Sequence, residues 1–356
     1  MIFRSAVNAL VCKRQHITTR ANFDEYEKLF RTLSPVQTDF WTSPGSPPWI
    51  QHRADFDDTS LNFDARAERQ IIKGRFRGGA VGYIFADEVE LFAAAYMKEQ
   101  SKLSFGESEI LELLQREGPL SVTVIKEFTG MLVKTIAPLL HKLAEKYLVF
   151  EDQFDNEWDK AWYIFKNEFP NVNLYKYTRT EAIKLLILRF AYANAFIDEE
   201  MIRGFYGFTL KNIKPALLEL LDEKKICEER TDRENGYILT DDYEFLCAQK
   251  PIENFVRVFN RNDFLVKSNE HKFKDLYKKS GSNILYYIMV DGEFCGAVMG
   301  RFRFTPTELH DVLLDLPKDE IISRKAQIIN EIYRVCDQTE SPLAEYMGEP
   351  LFDCDD

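Results

Sequence analysis

The sequence predicts an α+β protein in which tandem helical domains, each ending in a β-hairpin, precede a β-rich C-terminal region. The main observation is an internal repeat, because residues 110–152 match residues 187–229 without a gap. A repeat is stronger evidence for a fold than local propensities are. After Pro251 the helical pattern changes to strand patterns. With 356 residues, the chain is long enough for about two to four domains.

Each copy of the repeat predicts three helices followed by a hairpin. The short second helix ends at a Phe-x-Gly, where glycine can adopt a left-handed cap. Strand patterns follow the third helix over 147–150 and 161–165 in the first copy, and over 225–228 and 236–239 in the second. This order is that of a winged-helix domain, and two generic three-helix units are the alternative. Corresponding residues include Phe128 with Phe205, Gly130 with Gly207, and Pro138 with Pro215.

The region before the repeat predicts a third, more diverged winged-helix unit. It contains a helix from Phe23 to Leu33 and then a Pro- and Ser-rich stretch. A hairpin follows, which pairs 70–76 with 80–85 across Gly78-Gly79, a turn that tolerates positive φ. The sequence therefore predicts about three tandem winged-helix domains.

The C-terminal region is expected to be β-rich and barrel-like. Asp291-Gly292, a strong hairpin signal, separates strand patterns over 283–290 and 293–304. A strand over 312–316 and an amphipathic helix over 319–335 follow. The domains are accordingly predicted at 1–104, 105–175, 176–248 and 249–356.

Composition limits the partners and the cellular location. Lys+Arg 46 against Asp+Glu 58 gives a net charge of −12, so phosphate is repelled unless the basic residues share one surface. No segment resembles a signal peptide or approaches the roughly 18 apolar residues of a membrane span, so we expect a cytoplasmic protein. The six cysteines lack metal-site spacing, and no nucleotide-binding motif is present in the sequence. We predict neither a metal nor a cofactor.

Basic residues cluster on and before the first hairpin. Alternate residues of a strand share a face, so Lys73, Arg75 and Arg77 are expected to project together toward the turn. Cations beside a glycine turn suit the phosphate backbone of a nucleic acid. The alternative is a charged, solvated edge that protects the sheet from aggregation. Arg66 also belongs to this cluster, and the hairpin residues predicted to contact DNA are Arg69, Lys73, Arg75, Arg77, Gly78 and Gly79.

A second candidate site lies in the Pro-rich stretch after the first predicted helix. Gln37 and Asp39 are two residues apart, so in extended backbone they point to the same side. Such a pair can hold one water molecule, with Asp39 as base or anionic stabiliser and Gln37 as the positioning group. The alternative is a turn in which Asp39 caps local backbone groups.

From Asn8 to about Tyr346, the chain resembles the AlkZ/YcaQ-like DNA glycosylases, which are bacterial proteins with tandem winged-helix domains. The resemblance includes the two repeats and the segments 262–265 and 290–296, which look like the family's barrel-type region. It also includes Gln37-Thr38-Asp39, at the place of the family's catalytic Gln-x-Gln or Gln-x-Asp motif.

The chain departs from the family pattern at two positions. The middle residue of the catalytic motif, usually apolar, is Thr38, and Gly82 stands where the family has a histidine.

The resemblance implies a DNA-repair glycosylase that hydrolyses the N-glycosidic bond of alkylated or crosslinked purines in double-stranded DNA. An alkylated purine is cationic and already a good leaving group, so one carboxylate suffices. Gln37 and Asp39 would orient and activate the water, while Arg53 and the hairpin cations would hold phosphates. The alternatives are a non-catalytic winged-helix protein that binds DNA or regulates, and a scaffold that docks protein partners.

Overall fold

The computed structural model describes residues 2–37, 48–50, 53–76, 80–98, 102–152, 161–273, 275–302 and 307–351. The N-terminal part contains four helices and one hairpin. The predicted helix is present with the expected bounds, and Asn22 and Glu25 form a capping box at its start. The predicted hairpin is present, with Lys73 opposite Tyr83, and its predicted turn lies outside the described residues. The elements are α1 (Arg4–Arg14), α2 (Phe23–Leu33), α3 (Asp58–Ala67), β1 (Ile71–Phe76), β2 (Ala80–Phe85) and α4 (Val89–Tyr96).

The first repeat copy has the predicted order of three helices and a hairpin. A Ser104–Glu107 capping box starts the first helix. The second helix ends at Gly130, whose φ of 69° is the left-handed cap that the sequence predicts. The elements are α5 (Phe105–Glu117), β3 (Leu120–Ser121), α6 (Val122–Thr129), α7 (Val133–Glu145), β4 (Val149–Asp152), β5 (Ala161–Ile164) and α8 (Phe165–Glu168).

The second copy repeats this order. Thr178 and Glu181 form the corresponding capping box, and Gly207 ends the second helix with a φ of 72°. Both hairpins lie where the sequence predicts them, within two residues at each end. The elements are α9 (Arg179–Asn194), α10 (Glu199–Tyr206), α11 (Leu210–Asp222), β6 (Ile226–Arg230), β7 (Asn235–Leu239) and α12 (Tyr243–Leu246).

The C-terminal region is built on an antiparallel sheet with the strand order β11-β10-β9-β8. The hairpin around Asp291-Gly292 is confirmed, whereas the predicted long helix is broken into α14 and α15. The elements are β8 (Val256–Asn260), α13 (Phe264–Phe273), β9 (Asn283–Val290), β10 (Glu293–Arg301), β11 (Glu308–Leu314), α14 (Lys318–Ser323), α15 (Lys325–Ile332), β12 (Glu345–Tyr346) and β13 (Glu349–Pro350).

This sheet is not the closed barrel that the sequence suggested. In the described part of the chain, β8 and β11 remain its two edges. One face packs on α1 and α13 through residues such as Tyr287 and Met289. The other face packs on α15 through residues such as Ile288 and Val298. Helices cover both faces, so apolar residues are buried without the sheet closing on itself.

Helix α9 lies in the largest apolar core, which joins the second copy to the N-terminal part. Phe190 of α9, Phe30 of α2 and Phe92 of α4 are fully buried in it. The helices of the first copy enclose a separate core around Ile125 and Leu140. Within the described ranges, no helix is both long enough and apolar enough to cross a membrane.

Candidate functional site

The segment that leads to Gln37 is attached to the basic hairpin. After α2, Val36 donates a backbone hydrogen bond to the Tyr83 carbonyl at 2.9 Å, and Tyr83 donates one back at 2.8 Å. Tyr83 lies on β2 and pairs on its other side with Lys73 of β1. Val36 and Tyr83 therefore form a β-bridge that attaches the segment before Gln37 to this hairpin, about two strand spacings of roughly 4.8 Å from Lys73.

Gly82 lets the segment before Gln37 approach β2 closely. A Cβ atom at position 82 would lie 3.0 Å from Pro35 Cβ and 3.4 Å from the Val36 carbonyl oxygen. Gly82 is the position where the resemblance places a histidine. A Cβ atom there would press on the segment that carries Gln37, whose atoms would have to shift by a few tenths of an ångström.

Gln37 lines a small cavity of about 40 Å³ between the N-terminal part, α10 and the C-terminal region. Trp49 and Arg53 line it from the N-terminal part, and Asn260 at the end of β8 and Asn262 just after it line it from the C-terminal region. The remaining lining residues are Leu33, Pro35, Val36, Ile50, Phe205, Asp263 and Phe264. Thr38 and Asp39 lie outside the described residues, so the predicted catalytic carboxylate stays a prediction.

A buried ion pair closes one side of this cavity. Arg53 is 2% exposed, and its guanidinium binds both carboxylate oxygens of Asp263, with Nη2 3.0 Å from Oδ1. The same Nη2 donates to Gln15 Oε1 at 3.2 Å, and Gln15 Nε2 donates to the Ala193 carbonyl at 3.0 Å. Arg53 thus connects the Gln37 region with α1, α9 and the start of α13.

The ion pair occupies the Arg53 guanidinium, which was predicted to contact a phosphate. The guanidinium points at Asp263 and away from solvent, and it also lies 5.5 Å from the Phe259 ring centre. Leaving one member of a buried pair without its partner costs about 3–5 kcal/mol. A phosphate would therefore have to displace Asp263 to reach Arg53, and the predicted phosphate contact stays a prediction.

A buried hydrogen-bond network holds the segment of Trp49 and Ile50, which also line this cavity. The Asp58 carboxylate accepts from the Tyr26 hydroxyl and from the Ile50 backbone, both at 2.7 Å. Asn62 donates to the Tyr26 oxygen at 2.6 Å and to the Pro48 carbonyl at 2.8 Å. Burial raises the pKa of Asp58, and burial together with the Asp58 charge raises that of Tyr26. This network fixes the 48–50 segment and with it Trp49.

The described cations of the predicted DNA-binding surface lie against the β4-β5 hairpin of the first copy. Arg75 Nη2 is 3.2 Å from Glu151 Oε1. Arg69 binds Asp152 and lies 3.3 Å from Glu168. Lys73 is buried, and Lys73 and Arg75 line a different cavity, of about 320 Å³, between β1 and the first copy.

The structure therefore brings Gln37 and Arg53 together and puts Lys73 and Arg75 at the second cavity. The other predicted residues of this surface, Arg77, Gly78 and Gly79, lie outside the described residues. In the part of the chain that the structure describes, no group of acidic, His or Cys residues could hold a metal ion.

Asn260, Asn262 and Asp263 are site residues that the sequence reasoning did not assign. Asn260 Oδ1 accepts from the Asn262 backbone at 2.7 Å, and Asp263 Oδ1 accepts from the Leu265 backbone at 2.8 Å. The signal in the sequence is the run Asn260-Arg261-Asn262-Asp263 directly after a strand. Turn-forming residues at this place are ordinary, so only the contact with the N-terminal part reveals their position.

The sequence matches no protein-family model and no curated protein. Among solved structures, the chain is similar to the Streptomyces sahachiroi DNA glycosylase AlkZ, with a TM-score of 0.68 and 13% sequence identity. The similarity covers 96% of this chain and 99% of that chain. The two proteins share their fold over nearly their whole length.

Proposed function

From this shared fold, we propose that the chain is a cytoplasmic DNA glycosylase that hydrolyses the N-glycosidic bond of alkylated or crosslinked purines in double-stranded DNA. The fold likeness to a DNA glycosylase supports the proposal. The observation that supports a particular site concerns Gln37, the first residue of the Gln-x-Asp motif. Gln37 lines a cavity where the N-terminal part, α10 and the C-terminal region meet. Its volume is about 40 Å³, below the roughly 300–1,000 Å³ of typical ligand pockets, so a flipped purine would have to widen it.

The proposed chemistry assigns one task to each residue of the motif. Loss of a cationic purine leaves positive charge on the sugar, which the Asp39 carboxylate stabilises while it accepts a proton from the attacking water. Gln37 holds the water through its carboxamide. A metal ion has no task in this scheme.

The other residues of the cavity would bind and position. Trp49 offers a flat face on which a base can stack, an interaction worth about 1–3 kcal/mol per base. The Arg53–Asp263 pair holds the loop of Asn260 and Asn262 against the Gln37 side of the cavity. We assign Arg53 a positioning role through Asp263, in addition to the phosphate contact that the resemblance implies.

The proposed DNA-binding surface is the basic hairpin, in a chain of about three winged-helix domains at 1–104, 105–175 and 176–248 and a C-terminal domain at 249–356. Arg69, Lys73, Arg75 and Arg77, with Gly78-Gly79, would contact phosphates. Because Arg69 and Arg75 pair with carboxylates of the first copy, DNA must compete with these pairs, which lowers its affinity. The phosphate contacts themselves make binding sensitive to salt.

The test is base release from damaged duplex DNA by the purified protein. We expect free 7-methylguanine from methylated duplexes, or unhooking of duplexes crosslinked by a nitrogen mustard, while unmodified duplexes stay intact. Salt-dependent binding to the same duplexes without release from either would favour the non-catalytic DNA-binding alternative. Neither binding nor release would favour the scaffold.

A further inference from the structure

A roomier cavity, which we call the α1 cavity, lies between α1, the end of α9, α13 and the C-terminal sheet. Its volume is about 400 Å³, within the roughly 300–1,000 Å³ of typical ligand pockets. Its apolar wall includes Phe196, Phe273 and Met289, which are all buried. The α1 cavity and the Gln37 cavity have no lining residue in common. The α1 cavity is therefore a separate place in the fold.

A buried hydrogen-bond acceptor without a donor lies in the wall of the α1 cavity. Asn194, the last residue of α9, lines this cavity and is 3% exposed. Its Nδ2 donates to the Phe190 carbonyl at 3.1 Å. Its Oδ1 is buried and accepts no hydrogen bond from any residue that the structure describes. Because a buried acceptor without a donor destabilises a fold, this oxygen indicates that the cavity holds a molecule with a donor.

Two other asparagines of the wall are arranged in the same way. Asn8 of α1 donates through Nδ2 to Glu293 Oε1 at 3.0 Å. Asn269 of α13 donates through Nδ2 to the Leu265 carbonyl at 3.0 Å. Within the described ranges, neither side-chain oxygen accepts a hydrogen bond. Three helices thus each contribute one carboxamide whose amino group is used by the protein and whose oxygen is spare.

The charged side chains of the wall leave a spare acceptor as well. Each lining cation is already paired with a lining carboxylate. Asp315 is exposed and lines the cavity, and it forms no ion pair with the residues that the structure describes. The spare polar groups are therefore oxygens, one of them charged. The pairs are Arg4–Glu293 at 2.6 Å, Arg233–Glu293 at 3.4 Å and Lys272–Glu234 at 2.7 Å.

We propose that the α1 cavity binds a small organic amine with an aromatic body, which is protonated at neutral pH. An ammonium group has three donors and no acceptor, so it complements the oxygens of Asn194 and Asn269. The rings of Phe273 and Phe294 lie 4.9 Å apart between centres and give the aromatic body an apolar surface. Aromatic ring faces also attract cations. The proposal does not depend on glycosylase activity, because the Gln37 cavity has other lining residues.

Two other occupants fit less well. A phosphate or carboxylate would meet spare oxygens and cations that are already paired, so it would have to break an ion pair to bind. Water molecules alone could satisfy Asn194, but the apolar wall around Phe273 and Phe294 offers them no partners.

Calorimetry with three indoles of similar size tests the proposal. The full chain is titrated with tryptamine, which carries an ammonium group, with tryptophol, which carries a hydroxyl, and with indole-3-propionate, which carries a carboxylate. We expect tryptamine to bind at one site about 10-fold more tightly than tryptophol, because charge-assisted hydrogen bonds are the stronger ones. Indole-3-propionate should not bind.

Variants of the wall then locate the site. Asn194→Leu and Asn269→Leu each remove one spare oxygen and should each weaken tryptamine binding about 10-fold. Asn330→Leu is the matched control, because Asn330 is exposed on α15 at the other face of the sheet. Circular dichroism checks that each variant is folded, and Asn269→Leu provides the test if Asn194→Leu does not fold. Absence of tryptamine binding, equal affinity for the three indoles, or tryptamine affinity unchanged in the folded asparagine variants would each overturn the proposal.

Discussion

Val36 and Tyr83 exchange two backbone hydrogen bonds, of 2.9 and 2.8 Å, and this β-bridge attaches the segment before Gln37 to the basic hairpin. In sequence these residues are separated by the Pro-rich stretch and a whole helix. The pairing places a catalytic candidate and a DNA-binding candidate on one rigid sheet. Changes at the contact should therefore affect both stability and activity.

Gly82→Ala tests this contact. The new Cβ would lie 3.0 Å from Pro35 Cβ, so we expect a loss of about 1–3 kcal/mol in the free energy of unfolding, as for overpacking, together with slower base release. Gly204→Ala is the control, because a Cβ there meets nothing within 4 Å, and alanine in a helix should stabilise by about 0.5–1 kcal/mol. Urea unfolding measures both. A neutral Gly82→Ala would show that the segment before Gln37 adjusts freely.

The Arg53–Asp263 pair predicts strong coupling between the N-terminal part and α13. Arg53→Met leaves Asp263 buried without its partner, so we expect the free energy of unfolding to fall by about 3–5 kcal/mol. Arg53→Met combined with Asp263→Leu should cost less than the sum of the single changes. At the exposed pair Lys278–Asp275, Lys278→Ala should cost about 0–1 kcal/mol. Additive effects at Arg53 and Asp263 would contradict the coupling.

Glu151 should restrain Arg75 from binding DNA. Their side chains lie 3.2 Å apart, and the Glu151 side chain is only 3% exposed. If DNA competes for Arg75, Glu151→Gln should tighten duplex binding. Arg75→Ala should weaken duplex binding and lower the number of counterions released on binding by about one. Titrations between low and high salt measure both effects. Identical affinities for wild type and both variants would remove Arg75 from the proposed DNA surface.

The capping box of α5 predicts a pH dependence of stability. Hydrogen bonds from Ser104, its backbone first, and the Lys146 ammonium lower the pKa of Glu107 to about 2. A free glutamate has a pKa of about 4.3. Because the folded value is the lower one, Glu107 stabilises the fold above about pH 4.3, and this stabilisation is lost as the pH falls toward 2.

Glu107→Gln should therefore lower the free energy of unfolding at pH 6, and the difference from wild type should shrink between pH 4 and pH 2. Urea unfolding of both proteins over this range measures the difference. A difference that stays constant with pH would mean that the carboxylate charge contributes nothing.

The sequence was informative wherever a signal is local. The repeat, its Gly130 and Gly207 caps and the hairpins follow from residues close together in the chain, and the structure has them at the expected places. The open sheet was not predicted, because strand patterns alone do not tell whether helices such as α13 and α15 cover both faces.

Only part of the candidate site could be predicted from the sequence, because the rest depends on contacts between residues far apart in the chain. Gln37 and Arg53 were visible as polar residues near a Pro-rich stretch, but Asp263 reaches Arg53 across more than half of the chain. The burial of Lys73 likewise depends on contacts with the first copy. From sequence patterns alone, a lysine or arginine is predicted to face solvent. A pairing carboxylate from a distant part of the chain cannot be recognised in the sequence.

The most direct test of the central claim is the single-turnover rate of 7-methylguanine release from a methylated duplex by wild type, Asp39→Asn and Asp275→Asn. Asp275 is an exposed aspartate far along the chain, with 77% of its side chain accessible, and serves as the matched control. We predict that Asp39→Asn slows release about 100-fold or more while duplex binding and the Asp275→Asn rate stay at the wild-type level. Equal rates for Asp39→Asn and wild type would contradict the account.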